Sequence, residues 1–382
     1  MNLDRRELAG AVADLGVFVP IAVTLIVANG LSATAVLLPA GVLYVTAALV
    51  YRLPVPVQPL KAFGAIAIAK GLGSDEIAAG ALLMGAIFLV AGRLGLLDLA
   101  ARAFPRALIR GVQLTVGLLF LKIAWGLVTD PPASFGDYAL EPTWALPLGV
   151  LAFGLALALK RHAISLVLVG AGVVGALALA AGHLSLGPSP LAFPSLDLAT
   201  FGTALTVLVL PQAPLSFANS CLATSDAART YFGERGAVVR PGRLATTFGS
   251  ANVLAGALSG MPVCHGAGGM TAHYSFGART AAAPLVMGGA LITLALGLGS
   301  GLAAVLPAFP LPILAGLLAT AGLLHIGLLR DLRGARDWSL ALLVGALGFE
   351  LNLLWALAAG LAAWWIPYGV GRLHERVAEA TP

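Results

Sequence analysis

The chain has 382 residues, of which 59% are hydrophobic and only 10% charged, with a mean hydropathy of +0.96. A soluble domain carries about 25% charged residues, so this composition excludes a soluble fold and points to one integral membrane domain over residues 1–382. The formal charge of +5 is read as a bias of cytoplasmic loops rather than a nucleic-acid surface, and two cysteines, Cys221 and Cys264, give no disulfide framework.

In chain order, apolar runs predict spans over 10–28, 32–50, 54–70, 76–92, 107–128, 143–159, 163–181, 199–218, 243–259, 262–278, 283–300, 303–328, 338–350 and 352–371. The opening MNLDRRELAG runs straight into apolar sequence without the short apolar region and cleavage site of a signal peptide, so the first run is expected to remain as a span. The third and tenth runs differ from the rest. LPVPVQPLKAFGAIAIAKG (53–71) and SGMPVCHGAGGMTAHYSFGAR (259–279) each begin with about ten Pro- or Gly-rich residues that cannot be regular helix and continue into about eleven that can. Two structural kinks would explain the breaks alone, but both also carry polar groups.

Charge tests the count of fourteen. With the N-terminus in the cytoplasm and sides alternating, 19 of the 22 Lys and Arg fall in internal loops, and the other three are Lys61, Lys70 and Lys122. The C-terminus then also lies inside, and the chain sits in the cell membrane. Fourteen spans divide as seven plus seven, and an odd number per half inverts the second repeat (about 198–372) relative to the first (about 1–181). The broken spans are each third in their half.

Interrupted spans at matching places in two halves point to a transporter's substrate site. Each is expected to reach the bilayer middle as extended chain and leave as a half-helix about 16 Å long. The two N-termini then meet, each with unpaired N–H groups and about half a positive charge, which suits an anion. Gly266, Gly268 and Gly269 allow a ligand close to the backbone. Gln58, Lys61, Gln212, Cys264, His265 and Met270 lie at or near this level, and none is acidic, as an oxyanion site requires.

These residues also carry a resemblance. LPVPVQPLKAFGAIAIAKG and GMPVCHGAGGMTAHYSFGART resemble the two signature motifs of the molybdate transporter family, a branch of the sulfate permease superfamily. ELAGAVADLGVFVP and LPQAPLSFANS are similar to it as well, and the likeness covers nearly the whole chain. It implies oxyanion uptake on a nucleobase-permease-like all-α fold, with a core of spans 1–4 and 8–11 and a gate of spans 5–7 and 12–14. It also implies proton symport by analogy; unlike many sulfate permeases, the chain is expected to carry no soluble regulatory domain after the last span. Where the family usually has Leu-Ala-x-Gln-Tyr after the glycines, this chain has Met270-Thr271-Ala272-His273-Tyr274. The expected partners are molybdate, tungstate or sulfate and the bilayer, with a homodimer open, and no cofactor or metal.

Each polar residue has a plainer reading. Lys61 contacts substrate or pairs with Asp14, and Asp14 is a coupling carboxylate or a helix-interface partner. His265 bonds substrate, titrates or holds its loop. Gln58 and Gln212 donate to an oxyanion or bond between helices, and Cys264 is a small buried residue. Ser216 and Asn219 read as interhelical hydrogen-bond groups, and Lys122 and Glu350 as intramembrane ionisable residues in gate-type spans. No HExxH, Asp-rich metal pair or Gly-x-Ser-x-Gly elbow supports an enzyme.

Overall fold

The computed structural model describes residues 4–12, 15–97, 105–158, 164–180, 182, 185–351, 353 and 355–366; Asp14 lies outside them. The helices are α1 (Arg5–Ala11), α2 (Leu15–Val27), α3 (Ala33–Tyr51), α4 (Lys61–Lys70), α5 (Ser74–Leu94), α6 (Arg106–Thr129), α7 (Pro142–Ala158) and α8 (Ile164–Ala180). A composite helical run α9 (198–232) follows, then α10 (Pro241–Ala257), α11 (Ala267–Phe276), α12 (Ala282–Val305), α13 (Leu311–Gly327), α14 (Ala335–Glu350) and α15 (Trp355–Ile366). Among the described residues six helical stretches are long and apolar enough to cross a membrane: Ala33–Tyr51, Ser74–Leu94, Arg106–Thr129, Leu198–Val238, Ala282–Ala308 and Leu311–Asp331. Large apolar side chains on the outside, among them Leu49, Val90, Trp144, Val150 and Leu296, suit a surface solvated by lipid.

Local sequence explains the breaks between elements. Ser32 caps α3 by accepting from Ala35 N–H, and Arg52 ends it in the left-handed region at φ 54°. In α9, Pro211 and Pro214 supply no N–H, and the ladder widens to π spacing over Ala204–Val209 and Ser216–Ala223. Leu210 N–H accordingly bonds Leu205 O, five residues back.

One feature departs from the all-helical expectation. Gln58–Pro59 (β1) and Val263–Cys264 (β2) pair antiparallel, with Gln58 opposite Cys264 and Pro59 opposite Val263. The prolines that forbid helix leave donors and acceptors that must be satisfied inside protein. Leu60 N–H extends the pairing to Pro262 O at 3.1 Å, and Val263 N–H turns away to Asn252 Oδ1 at 2.7 Å.

Small residues bring the helices together. α3 packs on α12, α5 on α10 and α6 on α13. In each pair two glycines face one another: Gly41 with Gly288, Gly85 with Gly249, and Gly117 with Gly322. A Cβ on any of these six would lie within 3.1 Å of the facing glycine's carbonyl oxygen, so the backbones touch where no side chain fits. α6 also packs on α14 and α13 on α7. At the end of this second group Asp331 binds Arg106 (2.6 Å) and the Nε of Arg110 (2.8 Å), tying α6 to the turn after α13. Lys122 Nζ lies over the Phe349 ring, 5.7 Å from its centre.

Candidate functional site

The sheet positions the starts of two short helices. α4 begins three residues after Gln58, and α11 three residues after Cys264. Neither helix has a capping side chain at its own N-cap, Leu60 or Gly266. In α4, Phe63 N–H is taken by Gln212 Oε1 at 2.9 Å, so α9 supplies the missing cap from a distance. Gln212 Nε2 donates in turn to Ser216 Oγ at 2.8 Å, which fixes the amide's orientation. Among the described residues the N–H groups of Lys61 and Ala62 in α4, and of Ala267, Gly268 and Gly269 in α11, have no protein acceptor.

The side chain of Gln58 spans the gap between the two starts. Its Oε1 accepts from Lys61 Nζ at 2.5 Å and crowds the α carbon of Gly266. A Cβ at Gly266 would sit 2.2 Å from that oxygen and 3.4 Å from Asn219 Nδ2, so only glycine fits there. Gln58, Lys61, Gln212 and Ser216 are all at most 5% exposed. Lys61 has no ion-pair partner among the described residues; its one hydrogen-bond partner is a neutral amide. An ammonium has three donors, and burying it without counter-charge is costly.

His265 is fully buried, and both of its ring nitrogens are engaged. Nδ1 donates to Pro56 O at 2.8 Å, and Nε2 lies 2.9 Å from Thr247 Oγ1. In the neutral ring Nε2 accepts from the Thr247 hydroxyl, which accepts from Tyr51 Oη at 2.8 Å. This arrangement favours loop-holding among the three readings of His265. Cys264 sits in the sheet, its Sγ 3.9 Å from Pro59 O.

The structure therefore brings Gln58, Lys61, Gln212, Cys264, His265 and Gly266 to one place. Gly268 is exposed, with open space where a Cβ would stand. Met270 is buried in an apolar cluster with Tyr51, Leu53, Val55 and Leu244. Sequence reasoning missed Asn252 and Thr247, single polar residues on α10 that read as ordinary helix-surface groups. It also missed His325 on α13, 9% exposed, whose Nδ1 donates to Ala321 O at 2.9 Å and whose ring meets Phe120 of α6 edge-on at 5.7 Å. No spacing signal marks it, because it comes from a helix with no motif.

Comparison with known proteins adds the following. The sequence pattern of a family described as Molybdate transporter of MFS superfamily matches residues 6–120 and 204–324. Molybdate transporter 1 of Arabidopsis thaliana is 27% identical over 410 aligned positions, covering 95% of this chain and 89% of that protein. Molybdate transporter 2 of the same plant is 26% identical, covering 89% of this chain and 82% of that one. Among solved structures, the transmembrane domain of the cyanobacterial bicarbonate transporter BicA superposes with a TM-score of 0.66 at 18% identity, covering 95% of this chain and 98% of its own. The murine anion transporter Slc26a9 in its inward-facing state gives 0.67 at 14% identity, covering 97% and 70%. At these identities the two structures speak to the fold alone.

Proposed function

The chain belongs to the molybdate transporter family, and from that premise we propose that it imports molybdate or a closely related tetrahedral oxyanion, tungstate or sulfate, by secondary active transport. It is a multi-pass membrane protein whose relatives are transporters rather than enzymes. The observation that carries the reading is the buried Lys61 ammonium, joined among the described residues to a neutral amide alone and set beside two helix starts whose first N–H groups have no acceptor among those residues. An oxyanion between α4 and α11 neutralises the lysine and accepts from those donors. A cation does neither, and a neutral nucleobase can accept hydrogen bonds but does not neutralise the lysine.

The finer architecture belongs to the same proposal: fourteen spans in two inverted repeats, with α4 and α11 as half-helices. Its support is a symmetry of contacts. Exchanging the repeats sends α3 to α10 and α5 to α12, so the packing of α3 on α12 maps onto that of α5 on α10, and the β1–β2 pair maps onto itself. The core is then α1–α5 with α9–α12, and the gate α6–α8 with α13–α15. Transport moves one against the other. Gln58, Lys61, Gln212 and the starts of α4 and α11 hold the anion, His265 positions the strand, and a proton accompanies the substrate inward.

The test is uptake of radiolabelled molybdate into proteoliposomes, with sulfate and tungstate as competitors and with or without a pH gradient. Saturable uptake that rises with an inward proton gradient and is lost in Lys61→Met is expected. Uracil binding without molybdate, tungstate or sulfate binding would overturn the substrate class. Single-channel currents would overturn alternating access.

A further inference from the structure

A second concentration of positive charge lies apart from Lys61. A cavity of about 690 Å³ is lined by Arg93 at the end of α5, Arg229 on α9, and Arg240 and Arg243 at the start of α10, with Thr246 and Thr247 on its wall. No Asp or Glu lines it, and none of the four arginines forms an ion pair among the described residues. The nearest acid in the sequence to Arg229, Asp226, makes no ion pair with it. Two glycines bring the arginines together. Gly92 and Gly242 meet backbone to backbone, and a Cβ on either would lie within 2.9 Å of the other's carbonyl oxygen. The end of α5 is thereby held against the start of α10, and Arg93 beside Arg240 and Arg243. Guanidinium forks match the edges of a tetrahedral oxyanion, and four cations without an acid repel one another until an anion joins them.

The cavity is also wired to the first site. Thr247 forms part of its wall and bonds His265 Nε2 at 2.9 Å, while His265 Nδ1 bonds Pro56 O at 2.8 Å, two residues before Gln58. We propose that this cavity is a second oxyanion site, which takes a tetrahedral phosphate-like group, and that its occupancy is transmitted to the Gln58–Lys61 centre through Thr247 and His265. Binding in the cavity stands on its own residues. The transmission rests on the transport reading above, which places the first anion at Lys61. The same chemistry is offered by a free oxyanion and by a lipid headgroup phosphate.

The experiment uses the full chain in nanodiscs of phosphatidylcholine, titrated with inorganic phosphate and, separately, with radiolabelled molybdate. A parallel arm uses equal parts of phosphatidylcholine and phosphatidic acid and detects retained lipid by native mass spectrometry. Expected is phosphate binding that weakens about tenfold or more in Arg240→Gln/Arg243→Gln and only partly in Arg243→Lys, which keeps charge but loses the fork. In Lys61→Met the phosphate binding stays. If phosphatidic acid is the occupant, it is retained by the native chain and lost from the double variant, and it blocks phosphate. Bound phosphate is also expected to change molybdate affinity about fivefold or more, an effect absent in Thr247→Val. Absence of both phosphate binding and lipid retention, or binding indifferent to the double variant, overturns the site. An unchanged molybdate affinity overturns the transmission. Molybdate binding left unchanged in Lys61→Met, with phosphate binding still dependent on Arg240 and Arg243, condemns the transport reading and leaves the cavity standing.

Discussion

Replacing Lys61 by methionine, which is similar in length and uncharged, separates packing from charge at the first site. Removing a buried ammonium that has one neutral partner among the described residues relieves a desolvation penalty, so Lys61→Met is expected to melt no lower than the native protein while losing about tenfold or more in molybdate affinity. Thermal unfolding in detergent and equilibrium binding measure the two effects, and a large fall in melting temperature without loss of affinity would assign the lysine to structure. The glycines at the start of α11 make a matched pair. A methyl at Gly266 collides with Gln58 Oε1 at 2.2 Å, so Gly266→Ala should destabilise by about 1–3 kcal/mol and abolish uptake. At Gly268 the added methyl meets open space, so Gly268→Ala should fold normally. It should still weaken molybdate binding severalfold, because a helical Cβ leans toward the N-terminus, where the free donors point.

At the scale of elements, the breaks are held by side chains sent from neighbouring helices. Gln212 of α9 caps α4 at Phe63, and Asn252 of α10 takes Val263 N–H. Asn252→Leu strands a buried donor and is expected to cost about 1–3 kcal/mol, read as a lower unfolding temperature with substrate affinity little changed. Gln212→Glu keeps an acceptor for Phe63 but sets a carboxylate beside the anion; the cap should survive while molybdate binding falls by about tenfold or more. The breaks themselves were legible in the sequence, because Pro54, Pro56 and Pro59 alternate in one short stretch and Pro262 stands beside a glycine-rich run, patterns that a regular helix does not hold. The glycines and the polar residues of the two segments were legible for the same reason. The pairing of β1 with β2 was not, since strands of two residues carry no periodicity. Nor were Thr247 and His325 legible, because each acts through a neighbour distant in sequence. Met270 shows the opposite limit: it lies within the motif, yet its side chain packs into apolar surroundings.

At the scale of the whole molecule, the distribution of arginines predicts sidedness. A cysteine placed at Arg235 should resist a membrane-impermeant maleimide applied to intact cells and react after permeabilisation, whereas one placed at Leu191 should react at once. The natural cysteines, Cys221 and Cys264, are buried and leave little background. Reaction of Arg235→Cys from outside would invert the topology. The facing glycines have a mechanical bearing, because backbones in direct contact cannot shear without losing their fit; Gly117→Leu should therefore separate α6 from α13 and lower both stability and uptake, measured together. The β1–β2 pair has a consequence for biosynthesis. Its two strands lie on opposite sides of the chain's midpoint, joined by Gln58 opposite Cys264. Until the second strand is made, the first has peptide groups that its own helix does not satisfy. A chain truncated before Val263 lacks the strand that pairs with Gln58–Pro59, so it is expected to be degraded rather than accumulate as a stable half, as pulse-chase labelling would measure.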